Sequence, residues 1–180
     1  MTGWQTHDST TAYENAWIRV REDRVTRPDG GSAIYGVVEM KHAAVFVVAV
    51  TDDDEVLLVE LHRYPTGTSS VEIPAGGSEG QDALPAAQRE LREETGLEAD
   101  NWTRLGSMWA LNGVCRANEH VFLAQGLRPV GGEKLAEEGI TGVRRVPWPD
   151  VLEMVRAGEI TDSESIASLL YAAIELGRVV

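Results

Sequence analysis

The stretch Arg89–Gly96, RELREETG, places three glutamates, Glu90, Glu93 and Glu94, in eight residues. On a helix, Glu90 and Glu94 stand four apart and Glu93 three from Glu90, so all three can crowd one side. Like charges at this spacing destabilise an isolated helix by roughly 0.2 to 0.5 kcal/mol per pair, a penalty that a bound cation reverses. Hard divalent cations take oxygen ligands, and Mg²⁺ uses one or two carboxylates together with substrate phosphates. The cluster therefore suits magnesium and suits zinc poorly. On charge alone, the same residues also read as a solvated face in which Arg89 and Arg92 pair the acids.

The residues in front of the cluster decide between these readings. VEIPAGG, Val71–Gly77, runs a short strand into a glycine-bearing loop that would bring backbone carbonyls and amides close to the glutamates. Loop and helix together closely resemble the Nudix hydrolase signature, G-x5-E-x7-R-E-U-x-E-E-x-G-U, where U is a bulky aliphatic residue. Arg89, Glu90, Leu91, Glu93, Glu94, Gly96 and Leu97 match its last nine positions. The first half departs from it, with Gln81 standing where the signature has glutamate. Gly76 lies one residue too near for the signature glycine, and Ala75 occupies that place at the expected spacing. This pattern predicts a shortened, uncharged loop in front of an intact carboxylate set.

The resemblance extends over most of the chain. LLVELHRYPTGTSSVEIPAG, Leu57–Gly76, is similar to the strand, Arg-Tyr-Pro turn and proline-glycine loop of the ADP-ribose pyrophosphatase branch. The N-terminal YENAWIRVREDRVTRPDGG and the C-terminal AGEITDSESIASLLYA resemble the same branch. The implied fold is α/β (α+β), an α/β/α sandwich with a mixed central sheet and a small N-terminal antiparallel sheet. Residues 1–41 would form those N-terminal strands and serve dimerisation, and residues 42–180 the hydrolase domain. The implied activity is Mg²⁺-dependent hydrolysis of the pyrophosphate bond of a nucleoside diphosphate sugar, with ADP-ribose the first choice and AMP and ribose 5-phosphate the products. Mn²⁺ is the alternative ion. Competing readings are a nucleoside triphosphate or dinucleoside polyphosphate hydrolase, and a catalytically impaired nucleotide-binding module, which Gln81 favours and the intact glutamates oppose.

Site roles follow from the resemblance residue by residue. Glu90, Glu93 and Glu94, with the Ala75 carbonyl, would hold the metal, and Arg89 would orient the carboxylates. Arg63 either reaches a substrate phosphate with its planar fork or stabilises the turn before Tyr64 and Pro65. Glu72 contacts nucleotide or metal, or merely ends a strand, and Gly76 belongs with the substrate-binding loop. The general base would come from the acidic segment KLAEEGITG, which carries Glu137 and Glu138; Glu138 is the first choice and Glu93 the alternative. The basic Arg116 in NGVCRA implies altered substrate contacts. His7, His42, His62 and His120 lack metal-ligand spacing, and no nucleophile elbow surrounds Ser69 or Ser70.

Composition bounds the partners. A chain of 180 residues with a net charge of −13 is a poor ligand for nucleic acid, but can bind a small anionic phosphate ester through divalent cations. The lone Cys115 excludes an intrachain disulfide. The start MTGWQTHDST has no basic or apolar leader, and no apolar run approaches the ~18 residues of a membrane helix, so no membrane partner and a cytoplasmic location are expected. A homodimer and a small nucleotide substrate complete the expected partners.

These side chains need elements to position them. Strands are expected at 17–25 and 34–40, joined by the turn RPDGGS, then at 43–50 and 56–61, either side of TDDDE. The Pro/Gly/Ser-rich segment 64–80 reads as loop with a short strand at 70–73, and 82–95 as a helix stopped by Gly96. Strands at 102–109, 120–124 and 143–146, then helices at 149–157 and 164–176, close the chain.

Overall fold

The computed structural model describes residues 3–179, with the Glu138 side chain outside the description. The chain forms two compact units. One is built from the chain up to Ala43 and the segment Trp109–Asn118. The other comprises Ala44–Met108 and the chain from Glu119 onward.

The first unit is a four-stranded sheet in the order β1 (Gln5–Glu14), β2 (Ile18–Thr26), β3 (Ser32–Met40), β9 (Cys115–Arg116). β2 and β3 pair antiparallel from Ile18↔Met40 to Thr26↔Ser32. The turn between them is closed by Arg27 and Gly31, with Gly30 at a φ of 87° that its lack of a β-carbon permits. β1 is the strand that periodicity does not reveal. Its sequence QTHDSTTAYE is exposed at every position, so it has no buried face to impose an apolar alternation; its threonines and its pairing with β2 make it a strand.

The second unit has three layers. β4 (Ala44–Ala49) runs parallel to β10 (Asn118–Pro129) and antiparallel to β7 (Ala75–Gly77), within the order β7-β4-β10-β8 with β8 at Leu97–Trp109. A second sheet has the order β11 (Ile140–Pro147), β5 (Glu55–Arg63), β6 (Thr68–Glu72). The continuous apolar run of β4 is explained by burial on both faces. Val45, Val47 and Ala49 pack with Ala86, Ala87 and Leu91 of α1 (Ala83–Thr95). Phe46, Val48 and Val50 face the opposite way, into a core with Trp148, Val151 and Met154 of α3 (Trp148–Ala157) and Leu169, Ala172 and Ala173 of α4 (Ser163–Glu175). Helices therefore cover both faces of a mixed sheet, the α/β/α arrangement expected. β8 begins five residues earlier than Trp102, directly after Gly96. A single turn, α2 (Leu135–Glu138), lies in the segment read from sequence as an acidic loop. Among the described residues, no helix is long and apolar enough to cross a membrane.

Candidate active site

The site is assembled where β7 meets α1. Pairing of Phe46 with Ala75 and Val45 with Gly76 fixes β7 at the edge of the central sheet. The buried stripe of α1 then sets which side chains turn toward that strand. Glu90 and Glu94, one helical turn apart, are buried to 4% and 5% exposure. The Ala75 amide donates to Glu94 Oε2 at 2.9 Å. Glu90 lies against Gly76, where a β-carbon would come within 2.3 Å of its carboxylate. Both residues that the sequence offers for the signature glycine meet the glutamates: Ala75 supplies an amide to one, and Gly76 supplies the space for the other.

Glu93 points elsewhere. Its carboxylate takes a hydrogen bond from Arg89 Nη1 at 3.0 Å and another from Lys134 Nζ. The Lys134 ammonium, and after it Arg89, holds the Glu93 carboxyl below the usual carboxylate range against an opposing effect of burial. Among the described residues, no three acidic, histidine or cysteine side chains are gathered into a ready-made metal cage. The buried pair Glu90 and Glu94 still fits Mg²⁺, which takes one or two protein carboxylates and completes its shell with water and substrate oxygens. Their burial also makes a compensating cation favourable, because two nearby carboxylates out of water repel each other.

Arg89 ties loop and helix together. Its guanidinium donates to the Gly77 carbonyl at 2.7 Å and to Glu93, and lies 2.9 Å from Glu90 Oε1. Its Nε also reaches the Gln81 side-chain oxygen at 3.4 Å. Gln81 thus still serves as an acceptor for the arginine, as a neutral group. The loop is not the uncharged one expected: the negative charge of Glu79, two residues before Gln81, also acts on Arg89.

Arg63 and Glu72, at the ends of the paired strands β5 and β6, form a bidentate ion pair, Nε to Oε1 at 2.9 Å and Nη2 to Oε2 at 2.5 Å. Glu72, and more weakly Asp162 and Glu94, raise the pKa of Arg63, which places it in the electrostatic reach of the site. With Thr161 and Asp162 these residues line a cavity of about 320 Å³. Glu137 lies on α2, as does Glu138, whose side chain is outside the described residues. The backbone amide of Lys134, at the start of α2, donates to the Glu93 carbonyl at 2.7 Å, which fastens this segment to the end of α1.

Two residues escape a reading of the sequence. Lys134 lies 41 positions from Glu93, so nothing local announces their contact. Glu119 begins the apolar run EHVFLA and is 5% exposed, and its Oε2 has no hydrogen-bond partner among the described residues. Burial first, then the charges of Glu164 and Asp162, push its pKa up to about 7. The available signal was an acid on an otherwise buried strand.

A family model described as the nucleoside diphosphate sugar hydrolase N-terminal domain matches residues 4–38, and the NUDIX domain model matches residues 40–169. The chain is 35% identical over 170 residues to an ADP-ribose pyrophosphatase of Mycobacterium tuberculosis, an alignment covering 93% of this chain and 82% of that protein. It is 33% identical over 154 residues to an ADP-ribose pyrophosphatase of Bacillus subtilis, covering 84% and 82%. The crystal structure of an ADP compounds hydrolase superposes with a TM-score of 0.86 at 20% identity, covering 98% of this chain and 97% of that one.

Proposed function

Because this chain belongs to the NUDIX family, we propose that it cleaves the pyrophosphate bond of ADP-ribose to AMP and ribose 5-phosphate with Mg²⁺ held at Glu90 and Glu94. The chain is a hydrolase of phosphoric anhydrides, with nucleoside diphosphate sugars as its substrate class. The observation that carries the reading is the pair of buried glutamates facing Ala75 and Gly76 across the end of the sheet.

When bound, Mg²⁺ supplies positive charge against the diphosphate and Lewis acidity toward the attacking water. Glu90 and Glu94 would hold it, with the Ala75 carbonyl as a further ligand, and Glu93 would join them only by giving up its pairs with Lys134 and Arg89. Arg89 keeps the loop carrying Gly77 and the helix carrying the acids in one register. Gly76 lets the backbone approach the carboxylates, leaving the adjoining space to the diphosphate. Arg63 directs its remaining N–H donors to a substrate phosphate while Glu72 fixes the plane of its fork. We assign proton abstraction from water to the acidic segment of α2, with Glu138 first and Glu93 as the alternative. Retention of a Gln81–Arg89 hydrogen bond favours a working loop over an impaired binding module.

The first unit supports self-association. Trp17 is 70% exposed, and Trp4, Tyr13 and Ile34 of this unit are also exposed. Exposed aromatic surface of this kind marks a protein contact, and we take the partner to be a second copy through residues 1–41. A cytoplasmic location goes with this reading.

The test is a panel. Purified protein with Mg²⁺ is offered ADP-ribose, other nucleotide sugars, nucleoside triphosphates and dinucleoside polyphosphates, with Glu94→Gln as control. ADP-ribose should be turned over fastest, and the variant should lose about 10²-fold or more in kcat, as removal of an essential electrostatic group does. Equal turnover by the variant, or none of any compound by the wild type, refutes the assignment.

A further inference from the structure

A cavity of about 610 Å³ opens along the outer face of α1, bounded by the start of β8, the end of β10 and the loop leading to α2. We propose that it binds a phosphate monoester carrying a planar base, a ligand of nucleoside monophosphate size. The volume lies within the ~300 to 1,000 Å³ typical of small-molecule sites.

Charge is the first argument. The chain as a whole carries −13, yet this cavity gathers the four cations Arg89, Arg92, Arg128 and Lys134 along one face. Glu90, Glu93, Glu98 and Asp100 pair with them and hold the cations in place. Glu98 lies 2.5 Å from Arg128 Nη2 and 3.8 Å from Arg92 Nη1, bracketing the two guanidinium groups. Asp100 holds Arg128 Nε at 3.4 Å, and Arg92 Nε donates to the Gly131 carbonyl at 3.3 Å. Each guanidinium keeps further N–H donors, because five are available and the contacts made use only some of them. Gly132 seats Arg92 closely: a β-carbon there would stand 3.0 Å from its Nε.

Trp102 supplies the second argument. Its indole N–H donates to the Ala99 carbonyl at 3.1 Å, and its ring meets Phe122 edge to face at a centroid distance of 6.3 Å. The ring is therefore fixed in orientation, and it lines the same cavity as the two arginines. A preorganised indole beside two guanidinium forks accommodates a base by stacking and a phosphate by paired hydrogen bonds.

The site does not depend on the proposed reaction, although Arg89, Glu93 and Lys134 border both regions. The experiment is a titration of AMP, ribose 5-phosphate and inorganic phosphate, followed by ¹⁵N–¹H NMR of the tryptophan indoles with divalent metal chelated. Trp102→Phe assigns the signal. AMP should shift the Trp102 indole saturably and bind more tightly than ribose 5-phosphate or phosphate. Arg92→Gln/Arg128→Gln should weaken AMP about tenfold or more, since two charge-assisted contacts are removed. The milder Arg128→Lys retains the charge, loses the planar fork and should give an intermediate loss. The proposal is overturned by a Trp102 signal unmoved by AMP, by equal affinity for AMP and phosphate, or by wild-type AMP affinity in a folded variant lacking either arginine fork. Loss of hydrolysis in Glu94→Gln should leave this titration unchanged, which separates the two assignments.

Discussion

Gly76 and Glu90 share a space that admits only one of them a side chain: a β-carbon at position 76 would stand 2.3 Å from Glu90 Cδ and Oε1 and 2.5 Å from Oε2. The atoms in the way belong to the end of a flexible side chain, so relief comes by rotating the carboxylate rather than by deforming the sheet. Gly76→Ala should accordingly cost about 1 to 2 kcal/mol of stability, at the lower end of overpacking effects. Activity should fall much further, by about 10²-fold, because the displaced group is one of the two carboxylates proposed to hold Mg²⁺. Thermal unfolding compared with kcat on ADP-ribose checks the pair of values. A fall in melting temperature without a fall in kcat would show that Glu90 can move freely without consequence.

Arg89 and Gln81 give a prediction of opposite sign. The present contact is a long bond at 3.4 Å to a neutral oxygen. Gln81→Glu places a carboxylate there, turning it into a charge-assisted bond from a guanidinium already held by Gly77 and Glu93. Surface screening limits the gain to about 0.5 to 1 kcal/mol. Arg89→Lys should lose more than this, because an ammonium cannot reach Gly77, Glu90 and Glu93 with one rigid plane. Urea unfolding of the two variants, with the wild type beside them, measures both shifts.

The legible and the hidden parts of this molecule differ in the sequence separation of the forces that make them. Helix α1 could be read because its determinants are local: an apolar stripe expected through Leu84, Ala86, Ala87 and Leu91, of which only Leu84 turns out exposed, and a stop at Gly96, whose φ is 70°. β4 could be read because burial on both faces leaves only apolar residues. β1 could not, since its strand character comes from pairing with β2 and every side chain is exposed. The same holds within the site. Three glutamates at helical spacing suggested one cluster, whereas long-range packing divides them: Glu90 and Glu94 go to β7, and Glu93 goes to Lys134. Spacing along a helix says which side chains can meet, and the neighbouring elements determine which do.

Lys134 provides a direct test of that division. Its ammonium is the largest influence holding Glu93 below the ordinary carboxylate range. In Lys134→Met the Glu93 pKa should move upward, measurable by ¹³C NMR of the carboxyl carbons. The sign of the stability effect follows: a carboxylate with a depressed native pKa stabilises the fold above its unfolded pKa, near 4.5, and the contribution disappears as pH falls through the native value. The variant should therefore be less stable than wild type at pH 7, with the gap closing in acid. Because the Lys134 side chain is 47% exposed, the difference at pH 7 should reach only about 0.5 kcal/mol.

Glu119 should show the reverse dependence. Its pKa is pushed up to about 7 by burial, with Glu164 and Asp162 adding their charges, against an ordinary value of 4.5. The native state then binds a proton that the unfolded state releases, so this position costs nothing below about pH 4.5 and costs progressively more as pH rises through 7. Glu119→Gln removes the titration while keeping the shape. The variant should match the wild type near pH 4.5 and exceed it by about 1 to 2 kcal/mol at pH 8, an allowance that includes screening by the partly wet surroundings. Chemical denaturation at three pH values gives the comparison. A constant difference across that range would show that Glu119 stays ionised throughout, with its second oxygen paired in solution to a donor that stabilises the charge.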